Sequence, residues 1–164
     1  MSLLLNGAKT MTIAGTEMQC LEIYTGEAYT LPIYFTDSGG NAANCTGWSI
    51  SPSAKYYTVD TVTYPSADSV NLGNITALDP QPSNTNYTLT AAFTNAAAGS
   101  AYLYVGNNIT GNGVGNTATP TIALANNTAN STLVIVTLGV SRTSNVSGQT
   151  DINREPLGFI VRYQ

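Results

Sequence analysis

The chain has 164 residues, the length of a single domain, and a formal net charge of −4 from only five basic and nine acidic residues. It contains no histidine, which removes histidine general bases, Ser-His-Asp and Cys-His nucleophile systems and every histidine-bearing zinc site. Five basic residues cannot neutralise a nucleic-acid backbone and no apolar stretch reaches bilayer length, so neither a nucleic-acid nor a membrane partner is expected.

Short runs of Thr, Val, Ile and Tyr, cut by Gly, Asn, Pro and Ser clusters, predict strands along the whole chain. Met1–Asn6 is too short in apolar residues for a secretory leader, so the expectation is a chain made in a cytoplasm and not exported by a cleaved signal. Leu3–Leu5 and Thr10–Ile13 read as the first strands, and residues 1–16 as an amino-terminal arm or edge strand. Cys20–Tyr24 alternates and leads into a turn at Gly26. In the next strand Tyr29, Leu31, Ile33 and Phe35 share one face, a core face. Pro32 lies on the other face and lacks a donor, which predicts an edge position or an outward-facing nitrogen. Asp37-Ser-Gly-Gly40 is a hairpin-type turn, and Thr46–Ile50 resumes the sheet with Trp48 as a core ring.

Tyr56–Tyr64, Ser69–Leu78, Asn86–Phe93 and Ala101–Val105 are further strands, with a helical turn within Ala92–Ala98. Gly106–Asn116 is rich in Gly and Asn and reads as a long loop, an insertion around residues 106–118. Thr119–Leu124, Thr132–Val140 and Gly158–Tyr163 close the domain. Leu133–Leu138 is continuously apolar apart from Thr137, so it should be central and buried on both sides, with Val134 and Val136 in the core beside Phe159 and Val161. The fold class is therefore an all-β antiparallel sandwich, immunoglobulin-like or jelly-roll-like, over residues 17–164.

No chemistry-bearing constellation stands out. Cys20 and Cys45 read as two ordinary thiols, with a disulfide as the alternative. Glu17, Glu22, Glu27, Asp37, Asp60, Asp68, Asp79 and Asp151 are scattered and read as turn and edge carboxylates, not as a hydrolytic pair. Asn107–Gly113 offers amide oxygens without a carboxylate. The expectation is no enzyme activity, no metal and no cofactor. Ten tyrosines remain, which serve protein contacts or simply sheet propensity.

The order Glu22-Ile-Tyr-Thr-Gly-Glu27, Tyr29-Thr-Leu-Pro-Ile-Tyr-Phe-Thr-Asp37, Ser38-Gly-Gly-Asn41 and Cys45-Thr-Gly-Trp-Ser-Ile50 resembles a pattern of tailed-phage virion proteins. That pattern opens the amino-terminal sandwich of baseplate upper proteins and of related tail, fibre and capsid-attached modules. Arg154-Glu-Pro-Leu-Gly-Phe-Ile-Val-Arg162 is similar to the closing strand of such modules. The likeness covers residues 20–50 and 131–164, and Cys45 stands where the pattern has leucine. The expectation is a sandwich without the family's distal stalk or receptor-binding head.

The resemblance implies a structural protein of the virion, assembled in the host cytoplasm. The expectation is a capsid decoration or cement protein on the major capsid lattice, as a homo-oligomer such as a trimer. The alternatives are a tail, baseplate or neck adaptor and, third, a carbohydrate-binding module for host attachment. Candidate contact residues are Leu3, Leu4, Leu5, Tyr56, Tyr57, Tyr102, Tyr104, Asn108 and Asn112.

Overall fold

A computed structural model describes residues 1–13, 15–24, 26–77, 88–107, 131–143 and 149–162. Twelve strands lie among them: β1 Ser2–Leu5, β2 Lys9–Ile13, β3 Thr16–Tyr24, β4 Tyr29–Thr36, β5 Ser49–Val59, β6 Val62–Ser66, β7 Ser69–Leu72, β8 Ile75–Ala77, β9 Leu89–Asn95, β10 Ser100–Val105, β11 Ser131–Thr143 and β12 Thr150–Arg162. The only helical element described is a 3-10 turn at Ala96–Ala98. The strands form two sheets, a small one ordered β1-β4-β10-β9 and a large one ordered β6-β7-β2-β3-β12-β11-β5-β8. The sheets pack face to face, giving an all-β sandwich in a single domain.

Pairing is antiparallel except at two places, β3 with β12 and β2 with β7. The antiparallel sandwich thus carries two parallel pairs. Parallel partners of this kind bring together residues such as Gln19 and Leu157, and no local turn signal can announce them.

The large sheet is rolled. Only Asp60 and Thr61 separate β5 from β6, a step that spans at most about 11 Å between Val59 and Val62. In the strand order, however, β6 and β5 lie six strands apart, about 29 Å in a flat sheet. The sheet must therefore curl until its ends meet. The register across the joint is continuous: Val59 faces Ile75, Val62 faces Leu72, and between them Asp60 N donates to Asn74 O (3.2 Å) and Gly73 N to Thr61 O (2.8 Å). Asp60 accepts from Asn74 N (2.8 Å) and Asn74 Nδ2 (2.7 Å), and these bonds hold its carboxyl below the usual range. The segments β5–β6 and β7–β8 are one bent ribbon.

Rolling produces two cores. Between the sheets lie Leu3, Leu5, Ile33, Phe35, Leu103 and Val105 of the small sheet, against Tyr56, Val134, Val136, Leu138, Leu157, Phe159 and Val161 of the large one. Inside the roll lie Met11, Cys20, Val59, Val70, Leu133 and Ile160. Strands β11 and β12 divide the two. Leu157, Phe159 and Val161 point to the first core, while Ile160 and the bare face of Gly158 point to the second. Two-sided burial is what the apolar run 133–138 predicts. Pro156 cannot donate, and the β3–β12 ladder begins just after it, at Leu157.

Pro32 is not on an edge strand, since β4 lies between β1 and β10. The proline is tolerated because β1 pairs only with Ile33–Thr36 and leaves that flank of β4 open from Pro32 back. The segment 1–16 carries β1, at the edge of the small sheet, and β2, inside the large one. Gln19 replaces the missing neighbour of β1: its Oε1 accepts from Leu5 N (2.7 Å) and its Nε2 donates to Leu3 O (2.6 Å).

Candidate interaction face

None of the residues in β1, β4, β9 or β10 is charged. Alternation sends Leu3, Leu5, Ile33, Phe35, Ala101, Leu103 and Val105 inward and turns their neighbours out. The outer face thereby gathers Leu4, Thr30, Pro32, Tyr34, Ala92, Tyr102 and Tyr104. Leu4 is 48% exposed and Tyr34 37% exposed; Pro32, Thr30 and Ala92 are exposed, and Tyr102 and Tyr104 half-buried. Register fixes their arrangement. Leu4 lies opposite Tyr34, Pro32 opposite Tyr102, and Thr30 opposite Tyr104. On the other flank of β10, Tyr102 lies opposite Ala92 and Tyr104 opposite Thr90. The face thus has a tyrosine ridge along β10 and a shallow trough of Thr90, Ala92 and Thr94 along β9.

Such a face suits a contact. Neutral side chains cost little to desolvate, and tyrosine supplies contact area with a polar tip at modest entropy cost. Tyr34, Pro32 and Ala92 were not among the residues expected there. The signal existed: if Tyr29, Leu31, Ile33 and Phe35 face inward, Thr30, Pro32 and Tyr34 must face outward.

The other expected contact residues lie elsewhere. Leu3 and Leu5 are buried in the first core, because a strand with one leucine turned out must turn its neighbours in. Tyr56 is buried in that core as well, and Tyr57 is partly buried against the second. None of these four lies on the face. Asn108, Asn112 and most of the 106–118 insertion lie outside the described residues. Of the expected core residues, Ile33, Phe35, Val134, Val136, Phe159 and Val161 are buried, and Tyr29, Leu31 and Trp48 are partly buried against the first core. The Arg142 guanidinium covers the Trp48 ring at 4.7 Å and is held by Asp151 at 2.9 Å.

Two further sites bring polar groups together. A cleft of about 420 Å³ between β1, β3 and β12 is lined by Glu17, Gln19 and Glu155, with Glu155 Oε1 accepting from Asn153 Nδ2 (2.7 Å). At one mouth of the roll, Arg162 donates to Glu22 Oε1 (2.7 Å) and to Tyr64 Oη (2.6 Å), and Lys9 lies 5.5 Å from the Tyr64 ring. Burial pushes Glu22 up, but hydrogen bonds from Arg162 and Tyr64 outweigh it and hold the carboxyl below the usual range. Both cysteines are free and buried, Cys20 in the second core and Cys45 in the first. Among the described residues no group of three His, Cys, Asp or Glu could hold a metal ion.

No protein-family model matches this chain, and no curated protein is detectably similar to it.

Proposed function

We propose that this chain is a non-enzymatic structural protein of a tailed-phage virion, a capsid decoration protein bound to the major capsid lattice. The observation that carries this reading is the uncharged outer face of the small sheet, with Leu4, Tyr34, Tyr102 and Tyr104 turned outward. Four strands about 4.8 Å apart and six residues long give a face of about 400 Å² in projection. A standard stable contact needs about 800 Å² per partner, so this face alone would hold a single partner weakly. A weak contact becomes effective when many copies meet on one particle, because effective concentration replaces intrinsic affinity. The sequence resemblance to virion sandwiches points the same way and keeps a tail, baseplate or neck adaptor as the alternative location.

A second reading has its own observation. Tyr34, Tyr102 and Tyr104 lie near one another on a single flat face, which also suits a neutral glycan. Averaged cryo-EM of particles, with gold-labelled antibody against this chain, tests the proposal. Density or label over the shell is the expected result. Label confined to the tail or neck replaces decoration with the adaptor role. Absence of label from every particle overturns the virion reading and moves glycan binding forward.

A further inference from the structure

We propose that the outer face of the large sheet carries a carboxylate-binding cup over Gly139, and that its occupant is an extended segment of a partner protein with one Asp or Glu and an apolar residue two places to either side. The cup lies on the far side of the sandwich from the neutral face, and the inference does not rest on the virion reading.

Strand alternation builds the cup. Ile50, Ala54, Val136, Leu138 and Val140 turn toward the first core, so the residues between them turn out. Past Ile135, which packs against the core of the roll, the outward face of β11 is partly open at Thr137, Gly139 and Ser141. Gly139 lies opposite Ser51 on one side and Arg154 on the other. Two strand spacings put Ser51 and Arg154 about 10 Å apart, with no side chain between them. The hollow measures about 260 Å³, and Thr137 and Ser141 lie at its two ends. Gly139 is not among the glycines with positive φ, and the one atom within 4 Å of a Cβ there would be Ser51 O, at 3.3 Å. The fold therefore does not demand glycine in the middle of β11, where glycine weakens a strand. A bare position of this kind fits the close approach of another group.

Charge names the occupant. The chain has five basic residues and a net charge of −4. Three of the five are engaged: Lys9 by Ala67 O and the Tyr64 ring, Arg142 by Asp151, and Arg162 by Glu22. The other two, Arg154 and Lys55, are exposed, have no partner among the described residues and share this one face, Lys55 standing opposite Ile135. On β12 the carboxyls of Asp151 and Glu155 point the other way, to Arg142 and to the cleft beside Gln19. An otherwise acidic protein thus has a face that attracts carboxylates. The Arg154 guanidinium is a planar fork of donors matched to a carboxylate, and the Ser51 and Thr137 hydroxyls beside it have no partner among the described residues.

The rim sets the spacing. Ile152, 53% exposed, and Pro156 stand two places before and after Arg154 on the same side of β12. This apolar–cation–apolar row has the two-residue period of a strand, and an extended segment with acid and apolar residues at that period matches it. A mineral anion or a lone sugar acid would use the cation and leave both apolar positions idle.

NMR of the isotope-labelled full chain, titrated with the peptide acetyl-Val-Ser-Glu-Ser-Val-amide, tests this. The expected result is a shift of the backbone amide signals of Ser51, Gly139 and Arg154. The glutamine counterpart of the peptide should bind about fivefold more weakly, the scale of one exposed charge pair, and high salt should narrow the gap. Arg154→Gln alters only an exposed side chain and should abolish the preference for the Glu peptide. Gly139→Ala fills the floor of the cup and should weaken the Glu peptide by a similar factor, while Ser51 O needs to yield only slightly. Unchanged urea midpoints show that both variants fold. A peptide that shifts none of these amides overturns the proposal. So does a glutamine peptide that binds equally well, or a preference that Arg154→Gln leaves intact. Glucuronate that shifts these amides where the peptide does not overturns it in favour of an acidic glycan. Particle labelling moves with none of these results, so the virion reading stands or falls separately.

Discussion

A methyl group added at Gly99 meets backbone, whereas one added at Gly158 meets the end of a side chain. Gly99 has φ of +63° and closes the 3-10 turn, and a Cβ there would lie 2.5 Å from Phe35 O and 2.8 Å from Ala43 O. Phe35 and Ala43 are pinned there, since Phe35 N donates to Gly99 O (2.8 Å) and Phe35 O accepts from Ala43 N (2.9 Å). At Gly158 the new Cβ would lie 1.8 Å from Met11 Cε, an atom on a flexible arm. Gly99→Ala should therefore destabilise by more than about 3 kcal/mol and Gly158→Ala by about 1–2 kcal/mol, read by urea denaturation. Equal costs would refute the distinction. Cys20 gives a second test at this scale. Burial pushes its thiol up to about 11, with the Lys9 charge opposing. The folded thiol stays neutral while the unfolded chain ionises near the usual 9.0, so stability is intact below pH 9 and falls between pH 9 and about 11. At pH 8 a thiol reagent should label Cys20 only as fast as the protein unfolds. Single residues were the hardest scale to read from sequence. Leu3, Leu4 and Leu5 read together as contact residues, yet strand alternation splits them into two core residues and one exposed one.

The bent ribbon is the element with the least support, since β8 has three residues and β7 pairs with β2 at two positions. Arg162 ties it down by reaching from β12 to Tyr64 on β6. The tie also fixes Glu22, whose lowered pKa contributes stability above its usual 4.5 that is lost as pH falls below it. The group is partly exposed, so Arg162→Gln should cost only about 0.5–1 kcal/mol in global stability. Amide exchange should nevertheless rise at Thr63 and Asn71, which pair across β6 and β7, while β11 is unchanged. Exchange that rises equally in both places would show that the tie is not local. The sequence revealed β4 through its alternation and β11 through its apolar run. It concealed the ribbon, because Tyr56–Tyr64 reads as one strand, and its bend at Asp60 depends on partners found only in the folded sheet.

At the scale of the molecule, both cores rest on β11 and β12, so neither can open while the other stays packed. Leu133 and Val134 are adjacent in the chain and face different cores. Leu133→Ala and Val134→Ala should each cost about 2–4 kcal/mol and shift one shared transition. Trp48 fluorescence follows the first core and Cys20 labelling the second, and their midpoints should coincide in the wild type and in both variants. Separate midpoints would mean two independent units. A sandwich was legible from strand number and turn spacing. The second core was not, because Met11, Cys20, Val59, Val70, Leu133 and Ile160 come from six separate strands and meet only when the large sheet rolls.

The position of β12 bears on synthesis. Leu157–Arg162 must slide in beside Gln19–Tyr24, a pairing that spans nearly the whole chain. A nascent chain on the ribosome can form the β5–β8 ribbon and the β9–β10 hairpin early, but it cannot seal either core until its last described strand has emerged. Until then both apolar faces of the large sheet are open to other chains. Folding should be slow for this size, as expected when contacts are mostly distant in sequence.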